Sequence, residues 1–99
     1  MVNIFDHAMP ERGKENIEEL LNKKNVVINR IVSNDVQNGE WYDQSEDEWF
    51  VLLAGEAVVE FEDKEKALSK GDTFFIPAHL KHRVKSTSQK ALWLTVHIL

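Results

Sequence analysis

Cysteine is absent from the 99-residue chain, so no disulfide framework, thiolate metal cluster or cysteine nucleophile can operate in it, and nothing calls for an oxidising compartment. Also lacking is any apolar run approaching the ~18 residues that a bilayer span requires. The stretch from Met1 to Pro10 shows no basic start followed by an apolar segment. A cytoplasmic location away from any membrane is the expectation. Positive charge is in deficit, with a formal net charge of −5, which opposes the generic attraction to phosphate backbones and argues against a nucleic-acid partner. A local basic cluster at His79, Lys81, His82, Arg83 and Lys85 reads as an exposed strand face alternating charge with apolar residues. Three motifs are missing as well: the phosphate-cradling G-x4-G-K followed by Ser or Thr, the dinucleotide G-x-G-x-x-G, and the nucleophile elbow G-x-S-x-G. Those enzyme classes therefore have no foothold.

What is present suits one small globular domain. The length allows a single hydrophobic core, and an apolar share of 42% with a charged share of 29% is ordinary for such a core. Between Glu15 and Lys24, Ile17, Leu20 and Leu21 recur at i, i+3 and i+4, with Glu15, Glu18 and Glu19 early and Lys23 and Lys24 late. That spacing and charge order predict a short amphipathic helix, too weak to stand alone and so docked as a lid or flank. Residues 1–24 then form an N-terminal flank and 25–99 a β domain. From Asn25 onward, β-branched and aromatic runs between turn residues predict strands at 26–33, 40–42, 48–54, 57–62, 73–76, 82–86 and 92–98, enough for a sandwich or barrel.

Gly55-Glu56 lies between two such runs and predicts a tight antiparallel hairpin. Polar turns are expected at Asp63–Glu65 and Ser69–Asp72. In the run from Glu48 to Ala54, side chains alternate between faces and both faces are apolar. The second face needs covering, and a homodimer is the expectation.

Two segments resemble the paired motifs of the cupin superfamily, G-x5-H-x-H-x3-4-E-x6-G and G-x5-P-x-G-x2-H-x3-N, over about half the chain. Gly71, Pro77 and His82 keep the second motif's spacing, and Glu48 with Gly55 keeps the end of the first. Tyr42 and Gln44 stand where that family carries its first two histidines. Val36 falls at the first motif's opening glycine, His79 replaces the second motif's second glycine and Ser86 its final asparagine. The resemblance implies an all-β, antiparallel jelly-roll barrel of the cupin type, with the short helix at its N-terminus. It also implies a cavity holding a divalent metal ion, a small polar metabolite, or both.

Iron, manganese, nickel or zinc would accept the Glu48 carboxylate and the His82 imidazole as a nucleus. Gln44 and Tyr42 can add weaker oxygen donors. His79, three residues before His82, or His97 on the last strand would restore a set of two histidines and one carboxylate, although sequence does not decide which side His97 faces. The other reading of the same pocket is a metal-free module that binds a small molecule without catalysis. A third reading confines the apolar faces to oligomerisation. Glu48 among Trp49, Phe50 and Val51 would be costly to bury alone, so an inward-facing Glu48 needs a partner. Trp41, Trp49 and Trp93 can supply a ligand-binding wall, with core or interface packing the expectation for at least two of them. Asp43, Glu46 and Asp47 read as a solvated loop.

Overall fold

The computed structural model describes residues 1–99. Eight strands make up its regular structure: β1 (Glu15–Lys23), β2 (Val26–Ser33), β3 (Asp47–Ala54), β4 (Ala57–Phe61), β5 (Glu65–Leu68), β6 (Thr73–Ile76), β7 (His82–Thr87) and β8 (Ala91–Ile98). They form a five-stranded sheet, ordered β1-β2-β8-β3-β6, and a three-stranded sheet, ordered β5-β4-β7. All pairings are antiparallel. No helix is long and apolar enough to cross a membrane.

The expected helix over Glu15–Lys24 is instead β1, the edge strand of the larger sheet. It pairs with β2 from Glu15↔Ser33 to Lys23↔Val26, and the register slips between Glu19 and Leu21. The apolar residues do not mark one face: Ile17 pairs with Ile31 in an inward row, whereas Leu21 pairs with Ile28, which points outward with Val96 and Trp49. A helix with three apolar residues has little to hold it in water, whereas the hairpin with β2 satisfies the backbone along the whole segment. Lys24, at φ 56°, makes the turn.

Gly55-Glu56 is not the turn of the expected antiparallel hairpin. The strands on either side do not pair: β3 lies in the larger sheet and β4 in the smaller. The dipeptide is a corner between sheets, and Gly55 sits there at φ +82° with no room for a side chain, since a Cβ would lie 2.8 Å from Ala91 Cα. The expected strand at 40–42 shrinks to a bridge between Tyr42 and His82. Even so, Asn38, Gly39 and Tyr42 donate backbone hydrogen bonds to Lys85, Val84 and His82, so this segment lines the free edge of β7. β5, a short run rich in charge, is an additional strand.

The sheets face each other across a core of Phe50, Leu52, Ala57, Val59, Phe61, Leu68, Ile76, Ala91 and Trp93. Phe50 meets Trp93 edge-on at 5.3 Å between ring centroids. The register sets the inward rows of the larger sheet: Glu48, His97 and Val27; then Phe50, Thr95 and Asn29; then Leu52, Trp93, Ile31 and Ile17. The row of Leu52, Trp93, Ile31 and Ile17 is apolar and that of Glu48 and His97 polar, and a cavity opens along them. The outer face of the same sheet carries Trp49 beside Phe75, which are 37% and 49% exposed. Part of that face lies under the N-terminal segment, whose carbonyls at Asn3, Ile4 and Asp6 accept hydrogen bonds from the buried Arg30.

Candidate functional site

The cavity between the sheets has a volume of about 360 Å³, near the lower end of the range of about 300–1,000 Å³ usual for small-molecule sites. Its apolar wall includes Ile31, Phe50, Val59, Ile76 and Trp93. Its polar wall gathers Tyr42, Gln44, Glu48, His82 and His97, five of the six residues singled out in the sequence, together with Glu15, Glu46, Asn29 and Thr95.

Glu48 has the partner its burial demands: Gln44 Nε2 donates to Glu48 Oε1 at 3.0 Å. The amide is a neutral donor, so the carboxylate's other oxygen stays available to a ligand. His82 is 7% exposed, and its Nδ1 lies 2.9 Å from the carbonyl oxygen of Leu80. A carbonyl only accepts, so Nδ1 carries the proton and the Nε2 lone pair is left for the cavity. The two-way backbone bridge between Tyr42 and His82 brings their rings to 5.9 Å, side by side at the mouth.

His97 faces inward, directly across from Glu48 in the β3–β8 register. Its Nδ1 lies 3.3 Å from Glu46 Oε1 but is poorly aligned with it, and the atom has no hydrogen-bond partner. Thr95, on the same face of β8, is 2% exposed and its Oγ1 is also buried without a partner. His79 stands apart from this group. Its left-handed backbone, at φ 65°, turns the imidazole outward to Asp43, with Nδ1 donating to Oδ1 at 2.8 Å, and its side chain is 70% exposed.

Glu46 and Thr95 escaped the sequence reading. For Glu46 a signal existed, because Tyr42, Gln44, Glu46 and Glu48 fall two apart and all line the cavity. The acidic stretch is thus no uniform solvated loop: Glu46 turns inward, Asp43 holds His79, and Asp47 Oδ1 accepts from the Ala78 amide at 2.8 Å. Of the three tryptophans only Trp93 belongs to the cavity wall, its indole donating to Ser33 Oγ at 3.1 Å. Trp41 packs under the Arg83 guanidinium, 5.0 Å from its ring centre.

No group of three histidine, cysteine, aspartate or glutamate side chains is arranged to hold a metal ion. Glu48 and His82 amount to half of a protein-built site; Gln44 is turned by its Nε2 bond to Glu48, and its amide oxygen is a weaker donor than an imidazole.

The electrostatics of the cavity mark Tyr42. Partial burial raises its phenol above the usual tyrosine range, and the negative charges of Glu15, Glu40 and Glu48 raise it further. Tyr42 therefore keeps its proton at neutral pH and can donate a hydrogen bond to a ligand. Because the folded state holds this proton more tightly than the unfolded chain, its contribution to stability is complete below the unfolded pKa and fades as pH rises through the folded one. Unfolding midpoints measured across the alkaline range above pH ~10 are expected to fall more steeply for the natural chain than for Tyr42→Phe. Parallel curves would count against the shift.

Residues 33–97 match the family described as the cupin domain. A structure from Ralstonia eutropha, provisionally named a mannose-6-phosphate isomerase, superposes with a TM-score of 0.88 and is 34% identical, covering 99% of this chain and 96% of its own. A cupin superfamily protein from Desulfitobacterium hafniense superposes with a TM-score of 0.76 at 21% identity, covering 93% of this chain and 84% of its own. KdgF from a Halomonas species gives 0.82 at 16% identity, covering 98% and 91%. At those last two identities the likeness concerns the fold alone. No curated protein matches the sequence.

Proposed function

The chain belongs to the cupin domain family, and from that premise we propose that its barrel binds a small polar molecule, held by Tyr42, Gln44, Glu48 and His82. The observation that carries this is the convergence of those four side chains, from two separate stretches of sequence, on one cavity with an apolar opposite wall. Such a wall receives the body of a ligand while a few placed polar groups fix its orientation. Tyr42 donates, the free Glu48 oxygen and His82 Nε2 accept, and Phe50 with Trp93 packs against carbon.

The name of the Ralstonia relative suggests a phosphorylated sugar. The lining of this cavity contains neither lysine nor arginine, the side chains that ordinarily hold a phosphate, so an unphosphorylated ligand is the better reading. On the outer face, where Trp49 and Phe75 are exposed side by side, the proposal includes a second copy of the chain.

A divalent ion at Glu48 and His82 is the second reading, favoured by the orientation of His82, whose Nδ1 is anchored and whose Nε2 is free. A bound ion would supply Lewis acidity to a ligand oxygen. Thermal unfolding in a metabolite screen, run with chelator, separates the two. A ligand present at 100 times its Kd stabilises the fold by about 2.7 kcal/mol, a rise of roughly 10–20 °C for a domain of this size. His82→Ala and Glu48→Gln are expected to remove most of that rise. Stabilisation by metal salts alone, lost in His82→Ala, would favour the second reading, and ligand shifts indifferent to both variants would sink the first.

A further inference from the structure

The charges inside the barrel are one-sided. Glu15, Glu46 and Glu48 line the cavity, and no lysine or arginine answers them. Glu15 accepts from Ser33 Oγ and Glu48 from Gln44 Nε2, both neutral donors that leave the negative charge in place. Glu46 meets the edge of the His97 imidazole at 3.3 Å in poor alignment. Beside this group lies an independent sign of a missing partner: Thr95 Oγ1, in a side chain only 2% exposed, and His97 Nδ1 are both buried without a hydrogen bond. Buried polar atoms are ordinarily paired, and two adjacent orphans on one inward face of β8 mark a place where something else supplies the bond.

We propose that the cavity selects a small organic cation, a protonated primary amine with an apolar body, whose ammonium group sits between Glu46 and Glu48 on the side lined by Thr95 and His97. This rests on the reading of the cavity as a ligand site and names the class of ligand. An ammonium group offers three donors and no acceptor. The acceptors facing it are the Glu46 carboxylate, the free oxygen of Glu48 and the orphaned Thr95 hydroxyl. Phe50, Trp93 and Tyr42 add the attraction of their ring faces for a cation, and Ile31, Val59 and Ile76 receive the carbon body. The upward displacement of Tyr42's ionisation, driven in part by Glu15 and Glu48, is the response expected of a group in such a field. An anion of the same shape would meet three carboxylates and no fixed cation.

The test uses three probes of nearly equal shape: cyclohexylmethylamine, cyclohexylmethanol and cyclohexanecarboxylate. Each is titrated into the full chain near neutral pH, with chelator present, and followed by calorimetry and by amide chemical shifts. The amine is expected to bind about tenfold or more tighter than the alcohol, as one charge-assisted hydrogen bond provides, and the carboxylate weakest of the three. Glu46→Gln should lower amine affinity by about tenfold while leaving the alcohol nearly unchanged. Thr95→Val should also weaken the amine, and because it removes an unpaired hydroxyl it should leave the melting temperature of the free protein equal or higher, so lost binding cannot be ascribed to lost folding. Equal affinity for amine and alcohol, or an amine affinity untouched by Glu46→Gln, overturns the proposal. Tightest binding by the carboxylate, abolished in His82→Ala, overturns it too while leaving the cavity a ligand site. Absence of binding by all three at millimolar concentration overturns both.

Discussion

Gly55→Ala is expected to destabilise the protein by about 3 kcal/mol, against about 1 kcal/mol for Gly71→Ala, although both glycines hold left-handed backbone. Their φ angles are +82° and +93°, so the conformational penalty of adding a side chain is similar at the two sites. What differs is space. A Cβ at Gly71 meets nothing within 4 Å, whereas one at Gly55 lies 2.7 Å from Ser88 Oγ and 2.8 Å from Ala91 Cα. Ala91 opens β8 and is fully buried, so the obstacle is backbone that cannot step aside without moving the strand that carries Trp93, Thr95 and His97. Urea unfolding of both variants measures the contrast. Adding Ser88→Ala should recover only part of the Gly55→Ala loss, because the Ala91 backbone remains. Equal losses at the two glycines would mean that the corner between sheets is looser than this contact requires.

The second large effect concerns Arg30, which is 6% exposed on the outer face of the larger sheet. Its Nη1 donates to the carbonyls of Asn3 at 3.1 Å, Ile4 at 3.3 Å and Asp6 at 3.1 Å, and its Nη2 donates to the Glu18 carboxylate. One guanidinium therefore fastens the N-terminal segment to the barrel while its charge is met by the cross-strand neighbour Glu18. Arg30→Ala leaves those acceptors unpaired and a cavity under the segment, and is expected to cost about 3 kcal/mol. Protease cleavage before Pro10 should accelerate with it. Arg30→Lys should recover little, because an ammonium lacks the fork that reaches three carbonyls and a carboxylate together. Glu18→Gln should cost only about 1 kcal/mol or less, since that carboxylate is half-exposed. An N-terminal segment equally protected in Arg30→Ala would show that other contacts hold it.

The β2 and β6 bounds agree residue for residue with those expected from sequence, and β3, β4, β7 and β8 differ by a residue at one end. Their β-branched and aromatic content favours extended chain, and period-two alternation matches a wall with two distinct faces. Glu15–Lys23 misled because its apolar residues fall at helical spacing along the chain, although Ile17 and Leu21 lie on opposite faces of an edge strand. Gly55-Glu56 misled because a glycine at positive φ serves a hairpin and a sheet-to-sheet corner equally well. β5, Glu65-Lys-Ala-Leu68, carries one buried side chain in four residues, too few for alternation to show.

Within the candidate site, the places of Glu48 and His82 on the barrel were legible from motif spacing, and the need of a buried carboxylate for a partner was legible too, but that Gln44 is the partner was not. His79 and His97 could not be ranked from sequence. The direction of His79 follows from one left-handed residue after Pro77, and that of His97 from pairing with two strands, β2 and β3, that lie far from it along the chain.

By itself, the sequence determined that residues 25–99 form short strands suited to a sandwich or barrel, with an acid and an imidazole at positions that resemble a family's motifs, since alternation, turn residues and spacing are properties of neighbours along the chain. Tertiary structure decided which strands share a sheet, that Glu46, Thr95 and His97 face the same cavity, and that no lysine or arginine joins them there. Strand pairing between distant segments fixes the face every side chain presents, and a one-residue slip reverses it. The sign of the charge inside the barrel is thus set by register, which only the folded chain displays.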